Sequence, residues 1–431
     1  MPDGTDLALL GGTPVRAAGW PGWPSLDAGT KATVAEALES GRWAISEDHN
    51  GHELYERRFA RAWADYHGVP YAVATSSGTA SLTVAIEALG LTHGAEVLVP
   101  GLTWVACASV VANAGLVPVL VDIDPATLCM SPAAAEASIS ERTEAVLLVH
   151  YGSSLADLDA FVDLCGRRHL ALIEDCAQAH GAAYRNARVG TYGAVGTFSM
   201  QESKLLTSGE GGACVTGDAA LYERMEEYRA DGRRYAESPR LLEPNLRDVG
   251  TVQGRNLCLT EIQAAILLGG LARLDAENER RAANATRLDE LLTGLGYAHP
   301  IAAPPAVTRR TYYRYCFRVD PEVLDGVPVE SVLQALGAEL GLHCEALHEP
   351  LNACRLYDPR RSPHKYDPLL LPRLDPTRFD LPQVHAARAT VLTIPHRALL
   401  ASATDMDDIV RALEKVVTNS AALRPDVVAV P

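Results

Sequence analysis

The sequence predicts an α/β protein with a mostly parallel, seven-stranded sheet, followed by a smaller α+β region. Between about residues 70 and 220, short β-branched or apolar runs alternate with helical patterns, and turn residues bound each run. Continuous apolar strands that alternate with helices are typical of a parallel sheet covered on both faces. The predicted strands are Tyr71–Thr75, Glu96–Pro100, Val117–Asp122, Ala145–Tyr151, Leu170–Asp175, Ala194–Ser199 and Gly211–Thr216.

The helical patterns connect these strands and divide the chain. Residues Thr79–Leu89 carry apolar side chains at helical spacing between the first two strands, and residues 259–295 predict one long helix. We therefore predict an N-terminal segment and a large α/β domain over residues 1–260. A connecting helix and a small C-terminal α+β domain are predicted over residues 261–431.

Three patterns describe the predicted small domain. Residues Tyr313–Asp320 alternate like a strand, and Glu330–Leu340 has the spacing of a helix. Residues Glu349–Pro382 are rich in proline, which indicates either an ordered functional loop or a flexible flap.

Composition excludes several classes of function. The 431 residues carry 38 Lys and Arg against 54 Asp and Glu, a net charge of −16, which argues against broad contacts with nucleic acid. No apolar run is long enough to span a membrane, and the first residues are acidic, unlike a signal peptide. The nine cysteines are scattered without a Cys-x-x-Cys pair, so we predict reduced thiols, no metal site and a cytoplasmic protein.

Lysine is scarce, and one lysine has an unusual setting. The chain contains only Lys31, Lys204, Lys365 and Lys415. Lys204 follows a predicted strand and precedes a glycine-rich turn, whereas the others lie in polar or helical surroundings. A desolvated lysine forms Schiff bases with carbonyl compounds. The alternative is a solvated lysine in a surface loop.

A second motif, Ser77-Gly78-Thr79, lies between a predicted strand and a helix. Free N–H groups at a helix start, with hydroxyl groups nearby, suit a phosphate. The alternative is simple N-capping, which favours the same residue types.

Two further residues suit a flat, protonated heteroaromatic ring. Asp175 ends a buried strand, where a carboxylate needs a cation such as a protonated pyridine nitrogen. The alternative is that Asp175 caps the next helix. Trp104 has a side chain that can stack on such a ring. The alternative is that Trp104 is one of the few aromatic residues of the core. His180, by contrast, is typical of a hydrogen-bonded structural histidine. A lysine, an anion cup, a strand-end acid and an aromatic platform together match the needs of pyridoxal phosphate.

The order of the motifs resembles the DegT/StrS-type sugar aminotransferases, which have the fold-type I architecture of pyridoxal-phosphate-dependent transferases. The motifs are Ser-Gly-Thr, Thr-Trp, Glu-Asp-Cys-Ala-Gln-Ala-His-Gly, Phe-Ser-x-Gln-x-x-Lys and Gly-Glu-Gly-Gly. The resemblance implies that Lys204 is the Schiff-base lysine and Asp175 the partner of the pyridine nitrogen. It also implies that Asn256 reaches the phosphate of a neighbouring subunit, so a homodimer with shared active sites is expected. The other implied cofactor contacts are Gln178 to the phenolic oxygen, Trp104 to the ring, and Gly78, Thr79 and Ser199 to the phosphate.

Within this family, the chain resembles the members of aminocyclitol biosynthesis. Gln201 and Cys258 replace a proline-containing segment and an arginine that are usual in members acting on nucleotide sugars. The resemblance implies transfer of an amino group from L-glutamine to 2-deoxy-scyllo-inosose or scyllo-inosose. Two departures from the subgroup, the position of Gly152 and the charge of Glu202, are expected to re-aim the substrate pocket.

Three alternatives stay open from the sequence. The acceptor could be a nucleotide-linked keto-sugar, for whose diphosphate Arg229 and Arg233 are available. The scaffold could also support another reaction of pyridoxal phosphate. A cofactor-binding regulatory protein is the non-enzymatic alternative, but the sequence contains no recognisable DNA-binding region.

Overall fold

The structure is a computed structural model that describes residues 6–424. The outermost residues of both predicted domains, 1–5 and 425–431, lie outside this part of the chain. Within it, no helix is both long and apolar enough to cross a membrane.

The strands are short and fall into four sheets. In chain order they are β1 (Tyr71–Thr75), β2 (Glu96–Pro100), β3 (Val117–Val121), β4 (Thr143–Val149), β5 (Ala171–Asp175), β6 (Ala183–Tyr184), β7 (Ala187–Arg188), β8 (Val195–Ser199), β9 (Gly212–Thr216), β10 (Arg233–Tyr235), β11 (Leu246–Asp248), β12 (Ala298–Pro300), β13 (Val307–Arg309), β14 (Arg314–Val319) and β15 (Val391–Pro395).

The α-helices cover the sheets and connect their strands. In chain order they are α1 (Ala28–Glu39), α2 (Tyr55–His67), α3 (Gly78–Leu89), α4 (Ala106–Asn113), α5 (Pro132–Ser138), α6 (Leu158–Arg168), α7 (Ala219–Arg229), α8 (Glu261–Leu295), α9 (Pro321–Leu324), α10 (Val329–Leu340), α11 (Pro382–Arg388) and α12 (Asp405–Thr418).

The main sheet has seven strands in the order β1-β9-β8-β5-β4-β2-β3, and each matches a predicted strand. Strand β9 is antiparallel to both neighbours, and the other pairs are parallel, so the prediction of a mostly parallel sheet is confirmed. In the register of the sheet, Asp175 is opposite Val149 on β4 and Thr197 on β8. The carboxyl ends of these three central strands therefore meet at one edge.

Two hydrophobic cores are joined by the long helix α8. Its start is fixed by a capping box between Thr260 and Gln263. Near this end Leu267 is buried in the core around the main sheet, whereas Leu288 and Leu292 are buried in a second core with α10, α12 and β14. Helix α8 thus connects the two halves, while the boundary at residue 260 remains our proposal.

The proline-rich segment, residues 349–382, packs against the end of β2. The backbone N–H of Leu351 donates to the carbonyl oxygen of Gly101 at 3.0 Å. A Cβ on Gly101 would lie 2.5 Å from a methyl carbon of Leu381, so glycine permits this close contact. Leu351 and Leu381 are both buried. The segment is therefore part of the packed structure beside the loop that carries Trp104.

Candidate active site

A cavity of about 820 Å³ lies at the carboxyl edge of the main sheet. Its lining includes Val149, Asp175 and Ser199, the last residues of β4, β5 and β8. Strands β14 and β15 contribute from the second core, through residues such as Arg314 and Thr393. The predicted site residues that line this cavity are Gly78, Thr79, Trp104, Asp175, Gln178, Ser199 and Lys204.

Lys204 lies in the turn after β8, where its backbone N–H donates to the carbonyl oxygen of Gln201 at 2.9 Å. Its ammonium nitrogen is 4.1 Å from the ring centroid of Tyr313, within the range of a cation–π contact. The described residues include no ion-pair partner for Lys204. The amine therefore lines the cavity without a carboxylate that would hold it as a salt bridge.

Tyr313 precedes β14 and is buried against the lysine turn. The hydroxyl groups of Tyr313 and Ser203 are hydrogen-bonded at 2.9 Å. Burial raises the pKa of the Tyr313 hydroxyl, but the positive charges of Lys204 and Arg314 outweigh this effect and place the pKa below its ordinary value. Tyr313 is thus a second polar side chain of the cavity lining beside Lys204.

Asp175 lies in the floor of the cavity and is held by neutral donors. Its Oδ1 accepts from the backbone N–H of Ala177 at 2.9 Å, and its Oδ2 accepts from the Cys107 thiol at 3.1 Å. Burial raises the pKa of the carboxyl group, although these hydrogen bonds oppose it. Among the described residues, no Lys, Arg or His nitrogen is within ion-pair distance of Asp175. The carboxylate therefore fits a protonated ring nitrogen as its missing cation.

Gln178 is oriented by the backbone of Gly152. The N–H of Gly152 donates to Oε1 of Gln178 at 2.7 Å, so the Nε2 group of the amide is the donor left for the cavity. Gly152 has a φ of 65°, and a Cβ there would lie 2.7 Å from the Cys316 sulfur. The positive φ and the nearby sulfur therefore suit glycine at this position, whose backbone N–H holds Gln178.

The start of α3 approaches the end of β8 closely. Ser77 caps the helix, because its Oγ accepts from the backbone N–H of Ala80 at 3.0 Å. Gly78 and Thr79 follow in the first turn, where N–H groups have no acceptor within the helix. A Cβ on Gly78 would lie 2.5 Å from the Cβ of Ser199. The motif therefore combines N-capping with a helix start whose free N–H groups, beside the Ser199 hydroxyl, suit an anion.

Trp104 presents its ring to the cavity. Its exposed fraction is 51%, which argues against the alternative of a core aromatic. Its ring centroid is 5.7 Å from that of His348, whose backbone N–H donates to the Tyr151 hydroxyl at 3.1 Å. Burial lowers the pKa of His348 to about 3, so this imidazole is neutral at physiological pH.

Several lining residues come from the second core and were not predicted as site residues. They include Arg314, Glu345 and His396. The Nε2 of His396 is 3.1 Å from the carbonyl oxygen of Ser203, so as a donor it fixes the turn that carries Lys204. No motif spacing in the sequence indicates these residues, because only the folding of β14 and β15 over the sheet edge brings them to the lysine.

Three residues lie away from the cavity lining. His180 is buried and packs against Phe198 at 5.6 Å between ring centroids, but neither of its ring nitrogens has a hydrogen-bond partner among the described residues, so the predicted hydrogen bonds are not found. Asn256 is exposed and forms an isolated antiparallel bridge with Ala230. Arg229 is fully buried in ion pairs with Glu56 and Glu226, so its charge is not available to a diphosphate in the cavity.

A buried polar cluster lies beneath the site. Potential metal-ligating atoms of His150, Glu174 and Cys176 lie within 4.8 Å of one another. The carboxylate of Glu174 accepts three backbone N–H groups, at 2.7 to 2.8 Å, and lies 3.4 Å from the imidazole of His150. These hydrogen bonds account for the buried charge, and we assign no metal to the cluster.

The chain is similar to known aminotransferases along most of its length. The DegT/DnrJ/EryC1/StrS aminotransferase family matches residues 24–413. L-glutamine:2-deoxy-scyllo-inosose aminotransferase of Micromonospora echinospora is 51% identical, over 97% of this chain and 100% of the relative. L-glutamine:scyllo-inosose aminotransferase of Streptomyces griseus is 48% identical, over 96% of this chain and 98% of the relative.

Solved structures show the same architecture. The crystal structure of 3-amino-5-hydroxybenzoic acid synthase is 28% identical and superposes with a TM-score of 0.79, covering 94% of this chain and all of that one. The expected fold-type I architecture is thereby confirmed. The match in family, together with a cavity whose residues fit the cofactor, shows that the chain belongs to the DegT/DnrJ/EryC1/StrS aminotransferase family and is a pyridoxal-phosphate-dependent enzyme.

Proposed function

We propose that the protein transfers the amino group of L-glutamine to a keto-cyclitol, 2-deoxy-scyllo-inosose or scyllo-inosose, in aminocyclitol antibiotic biosynthesis. The observation that carries this proposal is full-length similarity, at 48–51% identity, to two aminotransferases whose names give these substrates. The cavity supplies the amine, the acid and the aromatic platform that amino transfer requires.

The cofactor site is assigned as follows. Pyridoxal phosphate, when bound, supplies an aldehyde that condenses with amines and a ring that stabilises negative charge. When the cofactor is bound, Asp175 would hold the ring nitrogen, Gln178 would donate to the phenolic oxygen, and Trp104 would stack on the ring. The N–H groups at the start of α3 would hold the phosphate. Lys204 would supply the amine for the aldehyde and would serve as the base for the proton at the α-carbon of the amino donor.

The charges around the cavity favour an uncharged acceptor. Its lining carries acidic side chains that include Glu202, Glu210 and Glu345. Of the two arginines in this lining, Arg314 is paired with Glu345, and Arg397 has no ion-pair partner among the described residues. A nucleotide-linked sugar brings a diphosphate that needs unpaired cations, whereas the hydroxyl groups of a cyclitol need only donors and acceptors. The acidic side chains of the lining therefore support an uncharged cyclitol ketone, and Arg397 is the lining arginine that a diphosphate would have to use.

A parallel acceptor assay tests this proposal. The protein loaded with pyridoxal phosphate is supplied with L-glutamine and either 2-deoxy-scyllo-inosose, scyllo-inosose or a nucleotide-linked keto-sugar, and the aminated product is measured by mass spectrometry. We expect product from a free cyclitol ketone. Amination of the nucleotide-linked ketone alone would contradict the proposal and establish the alternative acceptor.

We also infer a homodimer in which Asn256 reaches the cofactor phosphate of the partner subunit. Asn256 is exposed and does not line the cavity of its own chain. Nearby segments expose large apolar side chains: Trp43 is 52% and Leu242 75% exposed. The N–H of Leu242 donates to the carbonyl oxygen of His49, and the N–H of Glu261 donates to that of Trp43, so these segments are adjacent. Such a patch is typical of a subunit interface.

A cytoplasmic location is the last part of the proposal. The nine cysteines, all within the described residues, are free thiols, and most are buried. A reducing compartment suits this pattern. Isolation of the protein from the cytoplasmic fraction of its producing cell is the expected result.

A further inference from the structure

Cys107 lies directly behind the acid of the site. It is the second residue of α4, three residues after Trp104, and its exposed fraction is 1%. Its sulfur is 3.1 Å from Oδ2 of Asp175 and 3.2 Å from the hydroxyl oxygen of Thr103. A buried chain of three polar side chains therefore ends on the carboxylate.

The directions of these hydrogen bonds follow from the number of protons. A thiol carries one proton, and a carboxylate accepts only, so the S–H of Cys107 donates to Asp175. The hydroxyl of Thr103 must then donate to the sulfur. Burial is the main cause that raises the pKa of the Cys107 thiol, and the charge of Asp175 raises it further. The thiol therefore stays protonated and remains a donor.

We propose that Cys107 is a positioning residue for Asp175. The S–H of Cys107, oriented by Thr103, keeps the Asp175 carboxylate ionised and aimed at the ring nitrogen of the cofactor. The inference rests on the role proposed above for Asp175. A neutral donor suits this task, because a second cation would compete with the protonated ring nitrogen for the same charge. The thiol supports the carboxylate without neutralising it.

Other groups that act on Asp175 come from three elements. Lys204 lies in the turn after β8, His150 follows β4, and Cys176 follows β5. The positive charge of Lys204 also favours the ionised form of Asp175. Removal of the Cys107 donor is therefore expected to weaken, not abolish, the ionised state.

The test measures the dissociation constant of pyridoxal phosphate as a function of pH, in cofactor-free protein, by fluorescence quenching. Cys107→Ala removes the donor, and Cys107→Ser keeps one. Because Asp175 must be ionised to pair with the ring nitrogen, its acid form binds weakly. We expect Cys107→Ala to weaken binding about tenfold and to shift the acid midpoint of affinity to higher pH, while Cys107→Ser stays close to the wild type.

Two controls separate the possible outcomes. Cys165→Ala removes a buried thiol in α6, outside the cavity lining, and is expected to leave affinity unchanged. Asp175→Asn is expected to lose affinity at every pH. Wild-type affinity in Cys107→Ala, or equal losses in Cys107→Ala and Cys107→Ser, would overturn the role of Cys107. Unchanged affinity in Asp175→Asn would instead overturn the proposed role of Asp175, and the inference with it.

Discussion

Lys204 and Asp175 carry the proposed chemistry, and among the described residues neither is neutralised by an ion pair. Lys204 lies over the ring of Tyr313, and Asp175 accepts hydrogen bonds from Ala177 and Cys107. A salt bridge would stabilise each charge but occupy the group that must meet the cofactor. Neutral neighbours hold both side chains in place while leaving their charges available.

Replacement of Lys204 tests its role directly. Lys204→Ala is expected to abolish both the visible absorption band of bound pyridoxal phosphate and turnover, because no other lysine lines the described cavity. Lys365→Ala, which removes an exposed lysine in the proline-rich segment, should keep both properties. Turnover in Lys204→Ala would refute the assignment.

Asp175→Asn separates stability from function. Burial raises the pKa of Asp175. In the cofactor-free protein, the ionised carboxylate therefore lowers the free energy of unfolding at pH values above that raised pKa. The cost fades as the pH falls toward the ordinary carboxyl pKa of about 4. At about pH 7, cofactor-free Asp175→Asn should therefore melt at or above the wild-type temperature.

Added pyridoxal phosphate should reverse this order, because only the wild type gains stability by binding. Thermal melts with and without the cofactor measure both effects. An equal rise in melting temperature for both proteins would show that Asp175 is not the cofactor's partner.

Among single residues, the sequence predicts those that lie in local motifs. Lys204 and Asp175 each follow a strand, so their position at the sheet edge is readable from the chain. Tyr313 and His396 reach the lysine only because β14 and β15 pack over that edge, more than a hundred residues later. In the sequence, Cys107 is one of nine scattered cysteines, and nothing in its spacing indicates a contact with Asp175.

Among the secondary-structure elements, the contact between α3 and β8 shapes the proposed phosphate site. The backbone at Gly78 touches Ser199, and only a residue without Cβ permits that approach. Gly78→Ala should lower the free energy of unfolding by about 1–3 kcal/mol through overpacking and weaken cofactor binding. Denaturant unfolding and a pyridoxal phosphate titration measure the two effects.

Gly166→Ala is the matched control for this change. Gly166 lies within α6, and a Cβ there would meet no atom within 4 Å. Alanine should stabilise this helix by up to about 1 kcal/mol, with unchanged cofactor affinity. Equal behaviour of the two variants would show that the close contact of α3 with β8 is unimportant.

The seven strands of the main sheet were predictable because their residues are continuously apolar and bounded by turns. Their ends differ by up to two residues: the strand expected at Ala145–Tyr151 spans Thr143–Val149. Sequence pattern does not show the strand order or the reversed direction of β9, because both depend on pairing between distant segments. The short strands β6, β7 and β10 to β13 carry too few residues to form a pattern.

For the whole molecule, the proposed homodimer predicts that inactive variants complement each other. Lys204→Ala and Asn256→Ala each damage a different half of the shared site. In a mixed dimer, one site combines the intact Lys204 of one subunit with the intact Asn256 of the other. After denaturation and refolding together at equal amounts, about a quarter of the wild-type activity should return, since half of the dimers are mixed. Refolding each variant alone is the control, and no recovery in the mixture would contradict shared sites.

The most direct measurement of the central claim is the acceptor half-reaction. The protein is loaded with pyridoxamine phosphate, free cyclitol ketones and nucleotide-linked keto-sugars are added separately, and the visible band of the aldehyde form of the cofactor is followed. Our account predicts that the band returns with 2-deoxy-scyllo-inosose or scyllo-inosose and is absent in Lys204→Ala. Its return with a nucleotide-linked keto-sugar, but with neither cyclitol ketone, would contradict it.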